Sequence, residues 1–218
     1  MHGYLSSGAS FTYQTAFFSK EFNVYAPDLV GFGQNQTMVK PYSLDDYVDF
    51  VIDYIKQNGL NRPCVIAHSF GARIVLKAVY RQRDIFDKIV LTGAAGLKPK
   101  FSLKKAVKRA TFKVLKKLIN KQKLSRFYSK DYLSLSPVMR ESFIKIVNEH
   151  LDYTLKSIKN QTLIVFGEND AETPLYMAKR LNKGIENSTL KVYKCAGHFC
   201  FIDKKHTFNT EVREFLLS

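Results

Sequence analysis

Ser69 lies in the run Val65-Ile66-Ala67-His68-Ser69-Phe70-Gly71, where an apolar stretch stops at a serine and restarts as Gly71-Ala72-Arg73-Ile74-Val75. Small residues two before and two after the serine let a strand and a helix approach closely, which forces the hydroxyl to the tip of a sharp turn. Free N–H groups at the start of that helix then lie beside the hydroxyl, where they can meet developing negative charge. A serine hydroxyl is a poor nucleophile at neutral pH. It needs a base within hydrogen-bond reach, and the base needs a third group to orient it. Two later segments supply candidates. Phe166-Gly167-Glu168-Asn169-Asp170 carries a carboxylate in the loop leaving an apolar run, and Cys195-Ala196-Gly197-His198-Phe199 carries an imidazole in the loop after the next one.

Other readings of these residues stand beside that one. Asp170 is also placed to cap a helix beginning near Thr173-Pro174, and Glu168 and Glu172 are alternative carboxylates. His68 reads as a packing residue beside the serine rather than a second base. Cys195, His198 and Cys200 are too closely spaced and lack a fourth ligand, so no metal is expected. No motif calls for a cofactor.

The elements that must position these groups follow from hydrophobic patterning. Apolar runs alternate with helical periodicity, which predicts a parallel sheet with crossover helices. Strands are expected at Phe22–Ala26, Cys64–Ala67, Lys88–Thr92, Thr162–Phe166 and Leu190–Tyr193. Ser43, with Asp46 three residues on, predicts a capped helix whose stripe is Leu44, Tyr47, Val48, Val51, Ile52 and Ile55, ending at Gly59. Further helices are expected from Gly71 to about Arg81, from Leu175 to Leu181, and from Phe208 to Leu217. Residues 97–158 break the alternation and read as a helical insertion. A parallel sheet would bring Ser69, Asp170 and His198, each following a strand, to one sheet edge, where ligands bind in open α/β folds.

With these pieces in order, the chain resembles the capped α/β hydrolases, the group that includes carboxylesterases, lipases and carbon–carbon bond hydrolases. The matching residues are His2-Gly3, Asp28-Leu29-Val30-Gly31-Phe32-Gly33, Ala67-His68-Ser69-Phe70-Gly71, Phe166-Gly167-Glu168-Asn169-Asp170 and Gly197-His198-Phe199. The resemblance implies Ser69 as nucleophile, His198 as general base and then acid, and Asp170 as the group that orients it. It implies an oxyanion hole from the backbone N–H groups of Tyr4 and Phe70. It implies a core formed by residues 1–96 and 159–218, with residues 97–158 as a helical cap. In the family the His-Gly turn follows a central strand. Here almost none of that strand precedes Met1, so missing N-terminal strands and a shortened chain are the expectation.

Composition sets the outer bounds. The 218 residues are long enough for one full core, and 45% of them are apolar, so a folded domain is expected rather than disorder. The formal net charge of +15 is concentrated: thirteen Lys and Arg and no acidic residue lie between Leu97 and Lys130. Within that segment Leu103, Val107, Ala110, Val114 and Leu118 make an apolar stripe, flanked by Lys104, Lys105, Lys108, Lys113, Lys116 and Lys117. That pattern fits a solvated cap helix or a basic face that meets anionic lipid or an acidic substrate. Sparse interleaving of aromatics argues against nucleic acid. Three cysteines, no leader and no membrane-length apolar run predict a cytoplasmic protein. The function expected from all this is hydrolysis of a carboxylic ester or related acyl bond in a small apolar substrate, through an acyl-enzyme on Ser69. Tyr128, Tyr132, Phe143 and Ile144 are the expected pocket residues. Carbon–carbon bond hydrolysis, or a catalytically silent protein that binds a ligand or membrane, are the alternatives.

Overall fold

The computed structural model describes residues 1–100 and 130–218. Four strands form one parallel sheet in the spatial order β1 (Val65–His68), β2 (Ile89–Thr92), β3 (Thr162–Gly167), β4 (Ser188–Tyr193). Their register pairs Val65 with Ile89, Ile89 with Thr162 and Thr162 with Ser188, so all four strands start level. The loops that leave their C-terminal ends therefore gather on one side. The two central strands are buried along their whole length, as expected for strands covered on both faces.

The covers are helical. In chain order the described helices are α1 (Thr12–Phe18), α2 (Leu44–Gln57), α3 (Phe70–Arg81), α4 (Lys130–Ser134), α5 (Pro137–Asn148), α6 (Leu175–Gly184), α7 (Cys200–Asp203) and α8 (Lys205–Leu217). Period-two alternation sorts the sheet's side chains between two cores. Ala67, Ile89, Leu91, Ile164 and Phe166 pack with α2, α3 and α6. Val90, Leu163, Val165 and Tyr193 pack with Phe11, Phe18, Phe201, Phe208 and Val212 from the α1, α7 and α8 side. The Ser43–Asp46 capping box is formed in both directions at the start of α2, and Leu44, Tyr47, Val48 and Val51 are the buried part of its stripe.

Helix α5 is tied to the sheet layer by charge. Arg73 on α3 donates to the carbonyls of Ile146 and Glu149 at the C-terminal end of α5, at 2.9 and 2.8 Å. Lys77, one turn on, pairs with Asp45 on α2 and with Glu149. These bonds satisfy carbonyls that the last turn of a helix leaves open.

One expected strand does not form. Phe22–Ala26 is outside the sheet, because among the described residues no strand lies beside it to complete its backbone hydrogen bonds. Among the described residues β1 is therefore an edge strand, met on its outer side by Met1 alone. Helix α8 begins three residues earlier than its apolar pattern suggests, and α1 was not foreseen. Ile144 is 48% exposed, so it faces solvent rather than a pocket. The Leu103–Leu118 stripe, its lysines and Tyr128 lie outside the described residues. Among the described residues no helix is long and apolar enough to cross a membrane.

Candidate active site

Ser69 joins β1 to α3 with φ 48° and ψ −106°, a conformation that side-chain-bearing residues rarely adopt. Such strain, of the order of 1–3 kcal/mol, persists only where the surroundings over-determine it. Here they do: Ser69 N–H donates to Thr92 O, and Ser69 O accepts from the N–H groups of Ala72 and Ala95. The neighbouring turn is as close. A Cβ added to Gly3 would lie 3.5 Å from the Ser69 Cβ and 3.1 Å from the His68 ring. The His2-Gly3-Tyr4 turn thus sits directly against the elbow. Among the described residues the N–H groups of Tyr4 and Phe70 have no acceptor, as an oxyanion hole requires.

His2 fixes that turn. Its Nε2 accepts from Leu29 N–H at 3.0 Å and its Nδ1 lies 2.7 Å from Gly3 O, so the ring is neutral with the hydrogen on Nδ1. Asp28 organises the same loop by accepting from Gly8 N–H and Gln34 N–H. Those backbone donors, Gln34 foremost, hold its carboxyl below the usual range. Tyr4 extends the unit sideways. Its ring packs on Phe32, Phe70 and Phe143, and its hydroxyl donates to Met139 O on α5 at 3.1 Å.

Asp170 and His198 meet at 2.9 Å, Oδ2 to Nδ1, and both are buried. Asp170 follows the C-terminal end of β3 and His198 the loop after β4, so the level start of the strands brings them together. Gly93 makes the approach possible: at φ 51° it has no side chain, and a Cβ there would lie 2.9 Å from His198 O and 3.1 Å from Nδ1. Asp170 is held by three further donors. Glu172 N–H and Thr173 N–H reach Oδ1, and the Thr173 hydroxyl reaches Oδ2. Burial alone would raise its pKa, but the bonds from His198 and Thr173 outweigh it and hold the carboxyl below its ordinary value.

The structure therefore joins two of the three expected groups directly. Among the described residues no hydrogen bond links Ser69 Oγ to His198; the free ring nitrogen, Nε2, lies 3.4 Å from the exposed Glu172 Oε2. Catalytic bonds are commonly long in unliganded enzymes and tighten when substrate binds. Glu168 is not an alternative partner, since its carboxylate accepts from Cys195 N–H. The His68 ring lies 4.6 Å from the His198 ring, tilted by 52°, and is bonded through Nδ1 to Thr92 O, a buried packing position.

The Thr173 hydroxyl bond to Asp170 and the bonding of His2 are not expected from the sequence, and Glu172, an alternative carboxylate there, lies at the other ring nitrogen of His198. The one sequence signal is the Asp-x-x-Thr spacing of residues 170–173, which by itself predicts only a helix start.

The family model described as "Serine aminopeptidase, S33" (Hydrolase_4) matches residues 1–205. The chain is an α/β hydrolase of that family. A curated relative is the 2-hydroxy-6-oxo-2,4-heptadienoate hydrolase of Pseudomonas putida, 26% identical over 91% of this chain and 79% of its own length. Among solved structures, the meta-cleavage product hydrolase of Pseudomonas fluorescens IP01 is 25% identical with a TM-score of 0.73, covering 97% of this α/β hydrolase and 87% of that chain. An esterase of Exiguobacterium antarcticum shares the fold, with a TM-score of 0.79 at 21% identity over 100% and 90% of the two chains.

Two buried histidines should make this α/β hydrolase acid-sensitive. Burial pushes His2 down to about 4 and His68 down to about 3, against 6.5 in an unfolded chain. Below pH 6.5 the unfolded chain takes up protons that the fold refuses, so stability falls as pH drops. The loss is about 2 kcal/mol per histidine between pH 6.5 and 5. Urea unfolding followed by circular dichroism should show the midpoint falling steeply over that window. Equal stability at pH 6.5 and 5 would contradict the buried neutral rings.

Proposed function

We propose that the protein is a serine hydrolase that cleaves a carboxylic ester or related acyl bond through an acyl-enzyme on Ser69. The observation that carries this reading is the Asp170–His198 pair beside a strained Ser69 elbow. A neutral His198 bonded to a carboxylate keeps its hydrogen on Nδ1, which leaves the Nε2 lone pair to take the serine proton. The imidazolium then returns that proton to the departing alcohol, and water repeats the cycle on the acyl-enzyme. Such a base contributes on the order of 10²–10⁴ in rate. The N–H groups of Tyr4 and Phe70 would receive the oxyanion, each donor worth roughly 2.7–4 kcal/mol.

The substrate's acyl part would be apolar. Phe32, Phe70 and Phe143 gather around Tyr4, and the Tyr4 hydroxyl ties this wall to α5, part of the proposed cap of residues 97–158. The thirteen cations between Leu97 and Lys130 would draw that cap to an anionic membrane surface or an acidic substrate. A second reading keeps the same residues and changes the bond: hydrolysis of a carbon–carbon bond beside a ketone. The names of the two Pseudomonas relatives favour it.

One experiment separates these readings. The protein is treated with a fluorophosphonate and digested, and turnover is measured on p-nitrophenyl esters of increasing chain length and on a meta ring-cleavage dienone. Label on the peptide bearing Ser69, with esters turned over faster than the dienone, is the expected result. Faster dienone cleavage would establish the second reading. No label and no turnover would sink both.

A further inference from the structure

Thr173 grips both oxygens of the Asp170 carboxylate. Its backbone N–H donates to Oδ1 at 2.8 Å, and its hydroxyl donates to Oδ2 at 2.7 Å. Oδ2 is the oxygen that faces His198 Nδ1, and the same hydroxyl lies 3.3 Å from that nitrogen. Thr173 Oγ1, Asp170 Oδ2 and His198 Nδ1 therefore close a triangle. The mechanism described above uses only its Asp170–His198 side.

The triangle admits one consistent placement of hydrogens. A threonine hydroxyl has one hydrogen to donate and two lone pairs to accept with, whereas an ionised carboxylate only accepts. The hydroxyl hydrogen thus goes to Oδ2, and a lone pair is left toward Nδ1. Asp170 Oδ2 offers that nitrogen a lone pair as well. Nδ1 meets two acceptors and no donor, so it carries the ring hydrogen itself. Bulk water has no access to this corner: the side chains of His198 and Asp170 are 7% and 0% exposed, and Thr173 is buried too.

The local sequence makes the grip stiff. Threonine is β-branched and restricted at χ1. Pro174 follows, which holds the residue before it to extended backbone, and Pro174 at φ −60° leads into α6. Glu172 N–H adds a second donor at Oδ1. A carboxylate held at Oδ1 alone can still swing Oδ2, because the terminal torsion of aspartate is soft. Among the described residues the Thr173 hydroxyl and His198 are the two side-chain partners of Oδ2.

We propose that Thr173 is a positioning residue for the reaction at Ser69: acting through Asp170, its hydroxyl keeps Oδ2 on Nδ1 and His198 in the Nδ1–H tautomer that a general base for serine requires. The role in catalysis rests on the serine hydrolase reading. The tautomer is a property of the resting protein and is read without any substrate.

Two kinds of variant separate the hydroxyl from the shape of the side chain. Thr173→Val removes the hydroxyl and keeps the branch; Thr173→Ser keeps the hydroxyl and removes the methyl. Thr173→Ala is a second hydroxyl-free variant that does not crowd the site. Rates are measured on the best substrate of the panel above, and the tautomer by nitrogen NMR of His198. Thr173→Val and Thr173→Ala should lower kcat about 10–100-fold with KM within about threefold, and should move part of the His198 population to Nε2–H. Thr173→Ser should stay within about threefold in kcat and keep Nδ1–H. Equal losses in the serine and valine variants would overturn the proposal, leaving a packing role at the start of α6. So would hydroxyl-free variants that keep the parental kcat, or that lose activity with the parental tautomer intact. If the parent turns over no substrate and takes no fluorophosphonate label, the hydrolase reading falls, and the NMR comparison alone decides whether Thr173 sets the ring.

Discussion

Replacing Ser69 by alanine should lower kcat by about 10⁴–10⁶ on whichever ester the protein turns over fastest, and should abolish fluorophosphonate labelling. The variant loses the only atom that the proposed mechanism makes covalent, while the Tyr4 and Phe70 N–H groups and the Asp170–His198 pair remain. A small residual rate above water is therefore expected from oxyanion stabilisation alone. The fold should survive, because Ser69 is held by its backbone: its N–H and C=O make the bonds to Thr92, Ala72 and Ala95, and among the described residues its side chain makes none. Alanine keeps the strain of φ 48°; glycine relieves it. Ser69→Gly should thus be as inactive as Ser69→Ala and more stable, by about 1 kcal/mol, in urea unfolding. Activity of Ser69→Ala within tenfold of the parent would remove Ser69 as nucleophile.

The elements legible in the sequence are those specified locally. Ser43 and Asp46 cap α2 through contacts three residues apart, and the buried runs of β2 and β3 are apolar except at Thr92 and Thr162. The elbow was legible for the same reason: the small residues that permit it are adjacent to Ser69. What could not be read depends on distant partners. Phe22–Ala26 has strand composition, but a strand exists only when another backbone pairs with it, and among the described residues none does. Helix α1 is seven residues long and follows a Ser- and Gly-rich turn; it is held by Phe11 and Phe18 packing on Phe201 and its neighbours, nearly two hundred positions away. In the site, the positions of Ser69, Asp170 and His198 after three strands were legible, since a parallel sheet aligns strand ends. The hydrogen bonds that set their states were not. Nothing in one sequence says that His2 must accept from Leu29, or that Glu172 lies beside His198 Nε2.

Those unforeseen bonds decide what Asp170→Asn should do. Oδ1 receives the backbone N–H groups of Glu172 and Thr173, and these donors cannot turn away. An asparagine must therefore put its oxygen there and its NH₂ where Oδ2 was, facing His198 Nδ1. A donor at that point forces the imidazole to carry its hydrogen on Nε2, which can no longer accept a proton from Ser69. The expected loss is about 10³–10⁴ in kcat at neutral pH with little change in KM, since substrate contacts are untouched. Nitrogen NMR of His198 should show the tautomer change directly, from Nδ1–H to Nε2–H. Glu172→Gln is the comparison: its carboxylate is exposed and approaches the other ring nitrogen, so the change should stay within tenfold. If Glu172→Gln falls as far as Asp170→Asn, or if Asp170→Asn retains a tenth of the activity, the orienting role belongs to another group.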